Sequence, residues 1–97
     1  MKINTSSLYV RNITSNKGNP VPNQFIITDN ENDQETFQSY KSIIAVKDYE
    51  NNKTYLDVKF WDYSVTTGKY RNIFLGENKK ETQAKINSNE YILTNLN

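Results

Sequence analysis

The sequence predicts an α+β domain: a small antiparallel sheet of four to five strands, two short helices near the C-terminus and a final strand. Three observations predict it. Residues 24–60 alternate short runs of β-branched and aromatic residues with polar turns, the signature of an antiparallel meander. Beyond Ser64 the apolar spacing becomes helical, with capping signals at Ser64, Gly76 and Asn78. The chain has 97 residues, which fits one domain, 1–97. Within it, 1–23 reads as an N-terminal strand and loop, 24–60 as the meander and 61–97 as helix-helix-strand.

Element by element, Leu8–Ile13 reads as a short strand. Residues 14–23 read as a loop, because Lys17-Gly18-Asn19-Pro20 and Pro22 are not expected inside a regular element. Gln24–Thr28 is the second strand and Glu35–Tyr40 the third, paired across the acidic turn Asp29–Gln34. Ser42–Asp48 is the most apolar stretch and is placed centrally. Thr54–Phe60 alternates, which sets Tyr55, Asp57 and Lys59 toward solvent and Leu56, Val58 and Phe60 inward. In 65–75, Tyr70, Ile73 and Phe74 share a helical face, Ser64 suits the N-cap and Gly76 the position just past the end. A strand pair turning at Thr67-Gly68 is the alternative, since a mid-helix glycine costs ~1 kcal/mol. Asn78 with Glu81 forms a capping-box pattern opening a helix over 79–88, and Tyr91–Leu96 is the last strand.

Composition excludes several kinds of chemistry. There is no cysteine and no histidine, so thiolate chemistry, disulfides and the commonest general base and metal ligand are absent. No apolar run approaches the ~20 residues of a membrane span, and the N-terminus lacks the apolar core of a secretory signal. The expectation is a cytoplasmic protein without membrane partners. The net charge is +1. Residues 1–24 hold Lys2, Arg11 and Lys17 with no acid, the middle of the chain is acidic, and residues 58–97 are mildly basic. A basic face would need the two ends to meet. The abundance of asparagine reads first as codon bias.

Asn23-Gln24-Phe25, Phe37-Gln38-Ser39-Tyr40, Ser42-Ile43-Ile44-Ala45 and Tyr55-Leu56-Asp57 form a distinctive series. It continues with the block Trp61-Asp62-Tyr63-Ser64-Val65-Thr66-Thr67-Gly68-Lys69-Tyr70, then Phe74-Leu75-Gly76, Lys80-Glu81-Thr82 and Glu90-Tyr91. Over residues 22–97 this series resembles a family of small uncharacterised proteins encoded by bacteriophages and conjugative plasmids of Gram-positive bacteria. The resemblance implies a mobile-element context in a bacterial host. It implies no activity and no catalytic residues.

No catalytic, cofactor-binding or metal-binding residues are expected, and no small-molecule substrate. Gly68-Lys69 lacks the upstream glycine and following hydroxyl of a phosphate loop, since Tyr63 and Tyr70 stand there. Asp57 and Asp62 have no neighbouring His or Cys and read as structural. The acidic turn lacks the glycine and terminal glutamate of a calcium loop and reads as a solvated hairpin tip. The hydroxyls of Ser64, Thr66 and Thr67 have no identifiable base and read as caps.

Aromatic and basic residues interleave at the expected partner-binding positions: Tyr63, Lys69, Tyr70, Arg71, Lys79 and Lys80. Tyrosine and arginine suit protein hot spots, and aromatics with basic neighbours suit base stacking and phosphate contact. Trp61 reads as core. Two non-enzymatic functions follow. The preferred one is an inhibitor that binds a host defence protein, such as a CRISPR effector. The alternative is a winged-helix-like DNA-binding accessory protein for plasmid transfer, replication or transcription, which would form a homodimer and lose affinity steeply with salt.

Overall fold

A computed structural model describes residues 8–97; Lys2 of the basic N-terminal segment lies outside that range. The strands are β1 (Leu8–Thr14), β2 (Pro20–Asp29), β3 (Gln34–Ser39), β4 (Ser42–Asp48) and β5 (Lys53–Asp57). They are followed by α1 (Val65–Leu75), α2 (Lys79–Asn87) and β6 (Tyr91–Thr94). The fold is α+β, and the sheet has six strands in the order of the chain, β1-β2-β3-β4-β5-β6. It is mixed rather than purely antiparallel. Strands β1 to β5 are joined by hairpins, whereas β6 returns after the helix pair and lies parallel to β5. A parallel neighbour requires such a crossover.

Three sequence expectations are corrected. β2 starts at Pro20 rather than Gln24. Pro20 is the first strand residue, facing Thr14 of β1, and β3 does not join β2 until Gln24. The missing N–H groups of Pro20 and Pro22 are therefore not needed by a second ladder. β5 stops at Asp57 instead of running to Phe60, and Asp57 is 1% exposed rather than facing solvent. Its carboxylate accepts the backbone N–H groups of Lys59 (3.0 Å), Phe60 (2.9 Å) and Leu96 (2.8 Å), which turns the chain out of the sheet. Finally, β6 ends at Thr94. Where β5 has ended, Asn97 supplies what a strand would have: it accepts the Ile43 N–H at 2.7 Å and donates to the Ile43 carbonyl at 2.9 Å.

The core lies between the helices and one sheet face. Ile13, Ile26, Phe37, Ile44, Ala45, Leu56 and Phe74 are buried together, with Trp61, Tyr70, Leu75 and Tyr91 packed against them. Ile26, Phe37, Ala45 and Leu56 are successive cross-strand partners and so share a face. The register shifts between Phe37 and Gln38, leaving Ile44 as the extra residue. This bulge lets two consecutive residues, Ile44 and Ala45, both bury. Several asparagines have a backbone use: Asn23, Asn52 and Asn89 adopt positive φ, which asparagine tolerates better than most residues.

Candidate functional site at the α1 corner

Helix α1 begins where Ser64 accepts the Thr67 N–H at 3.1 Å, and ends at Gly76, whose φ of +70° lets its N–H reach the Asn72 carbonyl. Lys47 of β4 donates to the Phe74 carbonyl at 2.7 Å, placing a cation at the negative end of the helix. The buried stripe of α1 differs from the apolar one read in the sequence. Thr67, Gly68, Arg71 and Phe74 face the sheet, Tyr70 is half-buried, and Ile73 is 47% exposed. Thr67 and Ser39 of β3 share a buried hydroxyl–hydroxyl hydrogen bond of 3.0 Å. A Cβ at position 68 would meet the Arg71 guanidinium and the Asp62 carboxylate at 3.7 Å, ordinary van der Waals contact, so the space around Gly68 does not itself demand glycine.

The Trp61 to Tyr70 block is a knot closed by Arg71. The guanidinium donates to the Trp61 carbonyl (2.7 Å), Asp62 (3.1 Å) and Asn72 (3.0 Å), and lies 5.1 Å from the Trp61 ring centroid. Lys79, at the start of α2, reaches the other oxygen of Asp62 at 2.7 Å. Burial would raise the Asp62 carboxyl, but hydrogen bonds from Lys79 and Arg71 outweigh it and hold the group below its usual range. A second knot joins the helices to β6. The Glu77 side chain, 4% exposed, accepts from Lys85 (2.7 Å) and Thr82 (2.5 Å), and Tyr91 donates to it at 2.8 Å. Its carboxyl is raised by burial but lowered more by these donors, for a net depression. The capping box of α2 forms as read, with the Glu81 N–H on Asn78 at 2.8 Å and the Asn78 N–H on Glu81 at 3.1 Å.

The expected partner-binding residues divide accordingly. Arg71 is drawn inward: at 1% exposure its guanidinium is engaged in the knot beneath the same depression. Tyr70 is half-buried against the core, with Lys69 over its ring at 5.4 Å. Tyr63, Lys69, Lys79 and Lys80 are exposed. Tyr63, Lys69 and Lys79 rim one open depression with Asp62 and Val65, whereas Lys80 lies on a neighbouring surface of α2. Tyr63 is braced edge-on by Phe60, with ring centroids 5.5 Å apart. Sequence reading missed Val65, which is 92% exposed. The available signal was its place: at 100° per residue, position 65 points away from the stripe through 67, 71 and 74.

Among the described residues, several of the bases are already engaged. Lys79 and Lys85 are paired with acids and Arg71 is internal. The two basic segments of the chain meet at Lys17 and Lys69, which line one shallow depression beside Tyr70. The acidic turn is ordered by Asp29, which accepts the Glu31 and Asn32 N–H groups, both at 3.1 Å. Among the described residues no group of three or more His, Cys, Asp or Glu is placed to hold a metal ion. No helix among them is long and apolar enough to cross a membrane.

A six-stranded mixed sheet with one face carrying a helix pair, and an aromatic corner held by a buried arginine, defines a small α+β sheet protein. The chain belongs to the DUF8033 family, a family of unknown function, whose model matches residues 8–90. No curated protein and no solved structure matches it.

Proposed function

We propose that this chain acts by binding another macromolecule rather than by catalysis, and that the partner is a host protein. On this reading it is the product of a mobile element, phage or plasmid, that inhibits a host defence protein such as a CRISPR effector. The observation that carries the choice of a protein partner is the α1 corner. There Tyr63 and Val65 stand exposed beside charges of both signs, Asp62, Lys69 and Lys79, on a backbone fixed by Arg71. Rigid aromatic and aliphatic anchors with a mixed polar rim suit protein recognition. The resemblance to phage and plasmid proteins supports the mobile-element part.

A second reading, DNA binding, draws on the depression shared by Lys17, Lys69 and Tyr70. It is weaker because Lys79 and Lys85 already neutralise carboxylates, and the chain lacks a basic surplus. The test is capture from bacterial lysate with tagged chain, with and without nuclease, alongside a Tyr63→Ala/Val65→Asp variant. One host protein retained after nuclease and lost with the variant is the expected result. Recovery of DNA, with every protein lost on nuclease treatment, would overturn it in favour of the second reading.

A further inference from the structure

The helices cover one face of the sheet; the other face has a composition that solvent does not explain. An antiparallel sheet with one face in water normally turns polar residues outward. Here register links Val10, Ile27, Thr36, Val46, Tyr55 and Ile92 into one row crossing all six strands. Their sequence neighbours Ile26, Phe37, Ala45 and Leu56 point into the core, so by alternation this row points the other way. On one side the next row is mixed, with Phe25 and Ile43 alternating with Asn12 and Gln38. The charged residues that share this face, Asp29, Asp48 and Lys53, are confined to the hairpin end of the strands. No helix or strand among the described residues packs over the row.

We propose that this open face is a self-association surface, on which a second copy of the chain stacks sheet to sheet about a twofold axis near Thr36 and Val46. Size supports it. Six strands at ~4.8 Å spacing and about three side-chain rows of ~6.8 Å project ~600 Å². Over two copies that is ~1,200 Å², the low end of the range for stable interfaces. Composition supports a second copy over a foreign chain. The middle of the face carries no charge that would select a different partner, and a row of β-branched residues and one tyrosine, Tyr55, can meet its own copy under a twofold operation. Residues such as Thr36 and Val46 keep two sheets near the ~10 Å separation of a sandwich, crossing at about −30°. Asp29, Asp48 and Lys53 then fall at the rim. The α1 corner, on the helix side, stays free in both copies, so this inference does not rest on the proposed function.

Sedimentation velocity over micromolar concentrations tests it, using the full chain, Val46→Lys, Thr36→Lys and, as a helix-side control, Val65→Lys. The wild type and the control are expected to be dimers. Each sheet-face lysine puts one unpaired ammonium per copy into the interface and should raise the dimer dissociation constant at least about 100-fold. Circular dichroism reports whether each variant is folded. Thr36→Lys, at a half-buried polar position, keeps the test sound should Val46→Lys fail to fold. A second readout uses the absence of cysteine: Thr36→Cys should cross-link to itself with a short bis-maleimide, and Val65→Cys should not. A wild type that is monomeric throughout, or folded sheet-face variants that dimerise as well as wild type, would overturn the proposal.

Discussion

Replacing Arg71 by alanine tests whether the α1 corner is held from within. Arg71 is 1% exposed and donates three hydrogen bonds, to Trp61, Asp62 and Asn72, besides stacking on the Trp61 ring. Removing one partner of a buried ion pair typically costs 3–5 kcal/mol when the other charge is stranded. Asp62 is not stranded, because it is 28% exposed and keeps Lys79 at 2.7 Å. The ionic part therefore falls at or below the low end of that range. Two further losses add to it: the unsatisfied Trp61 carbonyl and the cation–π contact, roughly 1 kcal/mol each. The expected total is about 3–4 kcal/mol, a large fraction of a small domain's stability. With a urea slope near 1 kcal/mol per molar for a chain this short, the midpoint should fall by about 3–4 M. Trp61, the only tryptophan, is a local reporter by fluorescence, with circular dichroism as the global one. Lys69→Ala, an exposed change, should shift the midpoint by less than about 0.5 M. If Arg71→Ala costs less than about 1 kcal/mol, the knot is not what holds α1, and Arg71 returns as a surface residue able to meet a partner.

Four further outcomes are expected. The Gln24 side chain is fully buried with neither amide atom bonded to protein among the described residues, so Gln24→Met should leave stability unchanged or raise it by about 1 kcal/mol in the same urea titration. Tyr40 holds a φ of +55° at the first position of the two-residue β3–β4 loop; Tyr40→Gly should stabilise by roughly 1 kcal/mol, and a loss would show that the ring has a packing role. Glu77 is depressed in the fold from its ordinary 4.5, so its contribution is complete above that value and is lost as pH falls through the lower folded value; Glu77→Gln should cost about 2 kcal/mol at neutral pH and flatten the acid limb of a stability-against-pH curve. Tyr91 is pushed up to about 12 from 10.0 by burial and then by Glu77, so its contribution is present below pH 10 and disappears as pH rises toward 12, which Tyr91→Phe should abolish in alkaline titration.

Caps and strand cores were legible in the sequence because they are written locally. Ser64, Gly76 and the Asn78–Glu81 box act within four residues of themselves and marked both helices, although Gly68 left a strand pair open as the alternative for the first. The α1 interior was not legible in the same way. Helical periodicity finds apolar side chains, but this helix buries Thr67, Gly68 and Arg71, whose partners Ser39, Trp61 and Asp62 lie on other elements. A buried arginine and an exposed one look alike until the acceptors around it are known. Asp57 misled for a related reason: alternation placed it outward, whereas three backbone N–H groups, one from Leu96, draw it in. The number of strands was nearly legible. The parallel pairing of β5 with β6 was not, since it depends on where the helix pair delivers the chain.

The strand order also bears on how the molecule assembles. Because spatial order and chain order coincide, each of the first four pairings joins strands separated only by a hairpin. Little loop entropy is lost at each step, so the meander can zip from any hairpin outward. The parallel closure, which brings Tyr91 beside Thr54, must wait for both helices and the Glu77 knot. Refolding should therefore be kinetically divided, with Trp61 fluorescence tracking the late step and early backbone protection confined to β2, β3 and β4.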